Sequence, residues 1–301
     1  MSSLNQSDVK IRFFAPADPL KPYVSTLYLT EVRSSDGKPI SDWLHPEWAN
    51  LRFMTGEPPV GAVGDGPLEK APRFFVAGPT SRATRFMATN MRSWGIGLLP
   101  AGWVKFIGAS AEDYSDKSTD GDDDPVFRDF TSLRGRIYDE PAPAAEEAER
   151  INSILLDLLE QAPEDNELVL QAHAVLVDPE LGTVQEMADR LGIGWRALDR
   201  LSRKVFGFPP KLLLRRQRFL RSLAENMLNP EQNWISTIDP QYYDQAHFGR
   251  DFQRFMGMSA SAYKALPHPF MNAAVHGRMA AAGAGMQVLH DPSVNPTGPS
   301  V

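Results

Sequence analysis

One layout, used twice in the second half of the chain, limits what the sequence can fold into more than any other feature. TVQEMADRLGIGWRALDRLSRKVFG (Thr183–Gly207) reads as a helix, a glycine turn and a second helix with a basic outer face. Thr183 is placed as an N-cap, with Glu186 three residues on as its capping-box partner. Val184, Met187, Ala188 and Leu191 form the buried stripe of the first helix, and Gly192 and Gly194 mark the turn. The second helix buries Leu198, Leu201 and Val205 and leaves Trp195, Arg196, Asp199, Arg200 and Arg203 outside. NWISTIDPQYYDQAHFGRDFQRFMG repeats the layout. Phe248, Phe252 and Phe255 share one face of its second helix, while His247, Arg250 and Arg254 form a polar stripe off that face. Asp244 is its cap and Gly257 its stop. Between the units runs PPKLLLRRQRFLRSLAENML (Pro209–Leu228), a long helix opened by prolines that acts as a rigid spacer. Two similar units repeated at about fifty residues imply a double helix-turn-helix, a layout that sets the second helix of each unit in a major groove.

Charge follows the same division. The chain as a whole carries a net charge of −7. From Arg190 to Arg221, however, ten basic residues stand against Asp199 alone, whereas EDYSDKSTDGDDD (Glu112–Asp124) holds seven acids and one lysine. Each part is therefore read separately for its partners. The acidic run reads as a solvated loop, with docking of a partner as the alternative. A lone basic amphipathic helix is ordinarily a solvated surface, but two units with a shared layout and spacer reverse that reading.

The first part, to about Tyr138, is cut by proline and glycine into short apolar or alternating pieces. Strands are expected at Tyr23–Val32, Asn50–Thr55, Arg73–Gly78, Thr84–Thr89 and Trp94–Pro100. GWVKFIG (Gly102–Gly108) fits a short helix or another strand equally well. The fold class is thus α+β, an N-terminal β-barrel or sandwich over residues 1–138 followed by an all-α double helix-turn-helix over 165–266. Residues 139–164 form a linker whose helix, INSILLDLLEQ (Ile151–Gln161), either pairs two copies as a homodimer or packs on the barrel. The tail, 267–301, is rich in Ala, Gly and Pro and is expected to be disordered.

LGIGWRALDRLSRKVFGFPPK and, more strongly, YYDQAHFGRDFQRFMGMSASAY resemble the AraC/XylS family of bacterial transcription regulators, over roughly Asp165–Leu266. More loosely, FFAPADPLKPYVSTLYLTEV and VAGPTSRATRF through GIGLLPAGWVKFIGAS resemble the cupin-like sensor half of one branch. The resemblance implies base contacts from Arg196, Arg200, Gln245, His247 and Arg250. Arg can fork onto guanine, and Gln onto adenine. Arg203, Arg215, Arg216 and Arg254 are then assigned to phosphates, which position without specifying. It further implies double-stranded DNA as partner, a small-molecule effector, and RNA polymerase if the protein is an activator. Three departures stand out: Gly194 replaces the usual serine cap, Gln241 the usual turn glycine, and Pro240 is expected to end the second scaffold helix early.

HPEWANLRF suggests a pocket wall from Trp43, His45, Glu47 and Trp48, although as a loop packed on a barrel these residues need no function. Only His45 of the six histidines lies in the barrel region, so neither metal nor other cofactor is expected. No catalytic signature appears, and the reading is not an enzyme. Zero cysteines, no apolar signal core and no membrane-length apolar run fit a cytoplasmic regulator. The alternatives are a cupin-like binding protein or enzyme whose helical part no longer binds DNA, and a protein-interaction adaptor.

Overall fold

The computed structural model describes residues 8–291. The first half is built from β1 (Asp8–Phe14), β2 (Val24–Arg33), β3 (Ile40–Leu44), β4 (Asn50–Gly56), β5 (Val60–Val63), β6 (Glu69–Lys70), β7 (Phe74–Ala77), β8 (Thr84–Ala88), β9 (Met91–Leu98) and β10 (Ser118–Asp120). They form two antiparallel sheets, β1-β2-β9-β4-β7-β10 and β3-β8-β5-β6. The five expected strands are present; β1 and the short β3, β5, β6 and β10 are additions.

Alternation along β2 explains the layering. Leu27 and Leu29 are fully buried in the main core, while Tyr28 and Thr30 line a cavity on the opposite face. Covered on both faces, the strand reads as a nearly continuous buried run. The core face is sealed by α1 (Pro100–Gly102), continued as one π-helical turn to Ile107, and by α2 (Leu133–Tyr138) and α3 (Ala144–Gln161). GWVKFIG is therefore helical. On α3, Ala148, Ile151, Ile154 and Leu155 are buried in that core, Glu147 bonds Arg92 and the Trp94 indole, and Asn152 accepts the Ala17 N–H. The linker helix thus packs on the barrel, and its apolar stripe is not left over for a second copy.

The helical half comprises α4 (Glu167–Val177), α5 (Val184–Leu191), α6 (Trp195–Phe206), α7 (Pro210–Leu228), α8 (Trp234–Thr237), α9 (Gln245–Met256) and α10 (Ala260–Lys264). Thr183 Oγ1 accepts the Glu186 N–H at 3.1 Å, while the Glu186 carboxylate turns to the Gly182 N–H instead of closing the box. Asp244 caps α9 through the His247 N–H at 2.6 Å, and Gly257 stops it in the left-handed region. The scaffold helix α8 ends at Thr237, ahead of Pro240. Phe219 of α7 lies against Phe252 and Phe255, fixing α9 on the spacer.

The tail departs from expectation. Pro269–Ala282 is a helix, α11, followed by a short turn at Gln287–Leu289; residues 292–301 of the expected disordered tail lie outside the described residues. Its start is held by Asp42 of β3, a fully buried carboxylate that accepts the N–H groups of Phe270 and Met271, each at 2.9 Å. A carboxylate there satisfies free donors and complements the helix dipole. Phe270 packs edge-on against Phe86 at 4.6 Å. A Cβ on Gly277 would lie 2.9 Å from the Phe13 ring, so a glycine lets α11 approach β1 closely. What reads as weakly hydrophobic sequence is a close-packed wall of the barrel.

Candidate nucleic-acid interface and interior cavity

On α6, Arg196 and Arg200 stand one turn apart and both are exposed, as are Lys204 and Trp195 (56 %). On α9, Gln245, Arg250 and Arg254 are exposed. His247 is half-buried, its ring edge-on to Tyr242 at 5.1 Å. Four of the five expected base-reading side chains therefore face solvent, and His247 is partly engaged within the fold.

The four expected phosphate contacts divide differently. Arg254 is exposed and without an ion pair among the described residues. Arg203 is held by Asp199 on its own helix (2.9 Å) and by Glu112 of the acidic run (2.7 Å). Arg215 pairs with Asp251 of α9, a fully buried carboxylate that also accepts the Tyr242 hydroxyl at 3.0 Å and lies 3.9 Å from Arg218. Arg215 thus braces the spacer against the second recognition helix. Arg216 corrects the expectation outright. It is 0 % exposed, donates to the Thr80 carbonyl at 2.7 Å and lies 3.9 Å over the Trp48 ring. Burial pushes its pKa down to about 9. A side chain sealed between the two halves cannot reach a phosphate. Asp251 escaped the sequence reading because its role depends on partners in α7 and the turn before α9.

The two halves meet closely. Gly207, with φ of +82°, accepts the Ser115 hydroxyl at 2.8 Å, and a Cβ there would sit 2.1 Å from that oxygen. Ala83 N–H donates to the Phe255 carbonyl at 2.7 Å, and His45 is hydrogen-bonded to the Tyr263 hydroxyl at 2.6 Å. Both α6 and α9 are therefore anchored to the β half by their C-terminal ends, with Arg196, Arg200, Gln245 and Arg250 turned outward.

Between the sheets and α11 lies a cavity of about 760 Å³. Of the four expected pocket residues, His45 and Glu47 line it. Trp48 is 2 % exposed and packs between the halves on Arg216, Phe206 and His173, while Trp43 packs against the core; neither lines the cavity. Sequence reasoning missed Tyr28 and Arg278, which come from distant segments, and Arg52, which stands within HPEWANLRF itself. Glu47 pairs with Arg52, whose Nε donates to the Tyr28 hydroxyl at 2.9 Å. Burial would lower the Arg52 pKa, but Glu47 and Tyr28 more than offset it and the pKa is raised. His45 is driven down to about 3, mainly by burial and further by His268, and stays neutral. Among the described residues no group of three or more His, Asp or Glu side chains is placed to hold a metal ion, and no helix is long and apolar enough to cross a membrane.

No family model matches the chain, and no curated protein matches it. Solved structures do match in general outline. ToxT from Vibrio cholerae has a TM-score of 0.44 at 9 % identity, over 79 % of this chain and 97 % of that one. Unsaturated fatty acid bound wild-type ToxT from strain SCE256 scores 0.42 at 10 % identity, over 88 % and 97 %. The AraC-like transcriptional activator CuxR scores 0.27 at 14 % identity, over 66 % and 77 %. Scores of this size establish no relationship by themselves; what this chain has in its own right is a two-sheet β half joined to two capped helix-turn-helix units.

Proposed function

We propose that the protein is a sequence-specific DNA-binding transcription regulator of AraC/XylS type, acting in the cytoplasm, with the β half holding a small-molecule effector. The observation that carries this reading is the pair of helices α6, which starts at Gly194 without a side-chain cap, and α9, capped by Asp244, mounted on one spacer and presenting Arg196, Arg200, Gln245 and Arg250 to solvent. Each helix enters a major groove, where a good bidentate side-chain contact discriminates a base by about 1–3 kcal/mol. Arg254 and Lys204 supply phosphate attraction, with Arg203 joining once released from Glu112. An effector acts by favouring one arrangement of the halves over another, which requires a different affinity for each.

Selection from a randomised duplex library at fixed salt tests this. Enrichment of a motif spanning two neighbouring groove segments is expected, relaxed at one set of positions by Arg200→Ala and at another by Arg250→Ala. If neither variant alters the enriched motif, the helices are not readers. A second reading, a binding protein whose helical half has lost DNA affinity, is favoured by the internal engagement of Arg215 and Arg216. It predicts no enrichment and no steep fall of DNA affinity with salt.

A further inference from the structure

Arg278 projects from α11 into the barrel, where it is 9 % exposed and borders the cavity. Its Nη1 donates to the Thr26 hydroxyl at 3.1 Å, and the guanidinium carbon lies 5.0 Å from the Phe13 ring centroid and 5.9 Å from that of Tyr28. Among the described residues Arg278 has no ion pair, Thr26 is its one hydrogen-bond partner, and its Nε and Nη2 open onto the cavity space. The other buried arginine of this wall, Arg52, already has Glu47. Asp116 is turned to Ser81, accepting its N–H at 2.6 Å and its hydroxyl at 2.7 Å, and Glu69, Lys70 and Lys117 are solvent-exposed. The lining mixes apolar side chains with polar ones that include Asp120, Ser118 and Thr119, and the wall beside Tyr28 holds two cations, Arg52 and Arg278, against one anion, Glu47. A largely buried charge without an ion partner is costly, and a guanidinium with free donors at a cavity wall is a strong receptor for a planar anion.

We propose that the cavity binds an apolar, aromatic-sized organic monoanion whose carboxylate pairs with Arg278. The apolar body lies among Phe86, Met54, Met91 and Phe270, and the carboxylate takes the free guanidinium donors beside the Glu47–Arg52 pair. The cavity's volume falls in the range of sites that enclose a small molecule. A dication, a sugar or a neutral polyol would leave Arg278 uncompensated. The ligand thereby closes the barrel across its last wall, joining α11 to the strands that carry Met54, Phe86 and Met91. This deepens the effector reading above by naming the ligand class, and it stands apart from DNA recognition.

The test is calorimetric titration of the full chain with three matched probes: para-butylbenzoate, para-butylbenzyl alcohol and para-butylbenzylamine. The carboxylate should bind roughly tenfold or more tightly than the alcohol, as expected for one charge-assisted contact, and the amine weakest. Arg278→Met should erase the preference for the acid while keeping affinity for the alcohol, and Arg278→Lys should retain part of it. Equal binding of acid and alcohol, a preference that survives Arg278→Met, tighter binding of the amine, or no binding of any probe would each overturn the proposal. If Arg278→Met does not fold, the wild-type preference and the Arg278→Lys value decide. Because DNA is absent, failure here leaves the groove-reading result untouched, and failure of DNA selection leaves this one untouched.

Discussion

Arg216 and His268 illustrate how a charged or titratable side chain takes its role from residues far away in sequence. Arg216 has one hydrogen bond and the Trp48 face to offset its burial, and its Nε and Nη2 have no partner. Buried charges of this kind are often replaceable by an apolar side chain of similar length at little cost. Arg216→Met is therefore expected to change stability by less than ~1.5 kcal/mol in thermal unfolding, and to leave the salt dependence of DNA binding unchanged. Arg254→Gln, by contrast, should lower the slope of log affinity against log salt by about one. His268 sits between Asp42 Oδ1 at 3.2 Å and the Tyr263 carbonyl at 2.8 Å. Burial alone would lower its pKa, but these hydrogen bonds and the Asp42 charge prevail and the pKa is raised. Its contribution is then complete below the unfolded value of 6.5 and disappears as pH rises through the folded pKa. The melting-temperature advantage of wild type over His268→Gln should shrink from pH 6 to pH 9. His45 and His173, both held down to about 3, act in the opposite sense, so neutralising variants at those positions should gain on wild type as pH falls below 6.5.

At the level of elements, α6 is tied by charge to the β half, whereas α9 is tied by charge to the spacer. Its Arg203 is shared with the acidic segment of the barrel through Glu112, while Gly207 at its end fits under Ser115. An exposed pair of this sort is worth about 0.2–1 kcal/mol. Glu112→Gln should raise DNA affinity by up to about fivefold and steepen its salt dependence, both read by fluorescence anisotropy across a salt series. An unchanged slope would mean that Arg203 does not reach a phosphate. Gly207→Ala, meeting both a left-handed backbone and a hydroxyl at 2.1 Å, should lower the melting temperature and loosen the two halves. What could be seen in the sequence at this scale was local: Asp244, Gly257, Thr183 and the apolar stripes needed no distant partner to be read. Short β3, β5, β6 and β10 carry too few residues for an alternating pattern to register. α11 was missed because its cap, Asp42, lies 228 residues away from Phe270 and its small residues serve a close approach and not a hydrophobic stripe. The pocket was half-read for a similar reason: HPEWANLRF marked His45 and Glu47, whereas Arg278 comes from a segment that looked solvent-bound.

For the whole molecule, the β half and the helical half form one packed body, with α11 and the turn after it belonging physically to the β half. Gln287 donates to the Leu98 carbonyl at 3.1 Å and accepts from Asn50 at 3.1 Å, and the Val288 carbonyl receives Gln217 of α7 at 2.9 Å. Ending the chain after Leu266 should therefore lower the melting temperature, open the cavity and increase binding of a dye that fluoresces on apolar surfaces. A truncated chain as stable as the full one would show the helix to be dispensable.

The seating of α11 on β1 and β3 also sets a clock. During synthesis the strands emerge first, yet the wall that covers Phe86, Phe13 and the buried Asp42 carboxylate is made only after both recognition helices have left the ribosome. Until then the half-built barrel offers an apolar flank to chaperones and proteases. A polypeptide cut between Leu266 and the start of α11 would already carry α6 and α9 but not the helix that covers this flank. The wall that seals this flank is thus made of residues translated after α6 and α9.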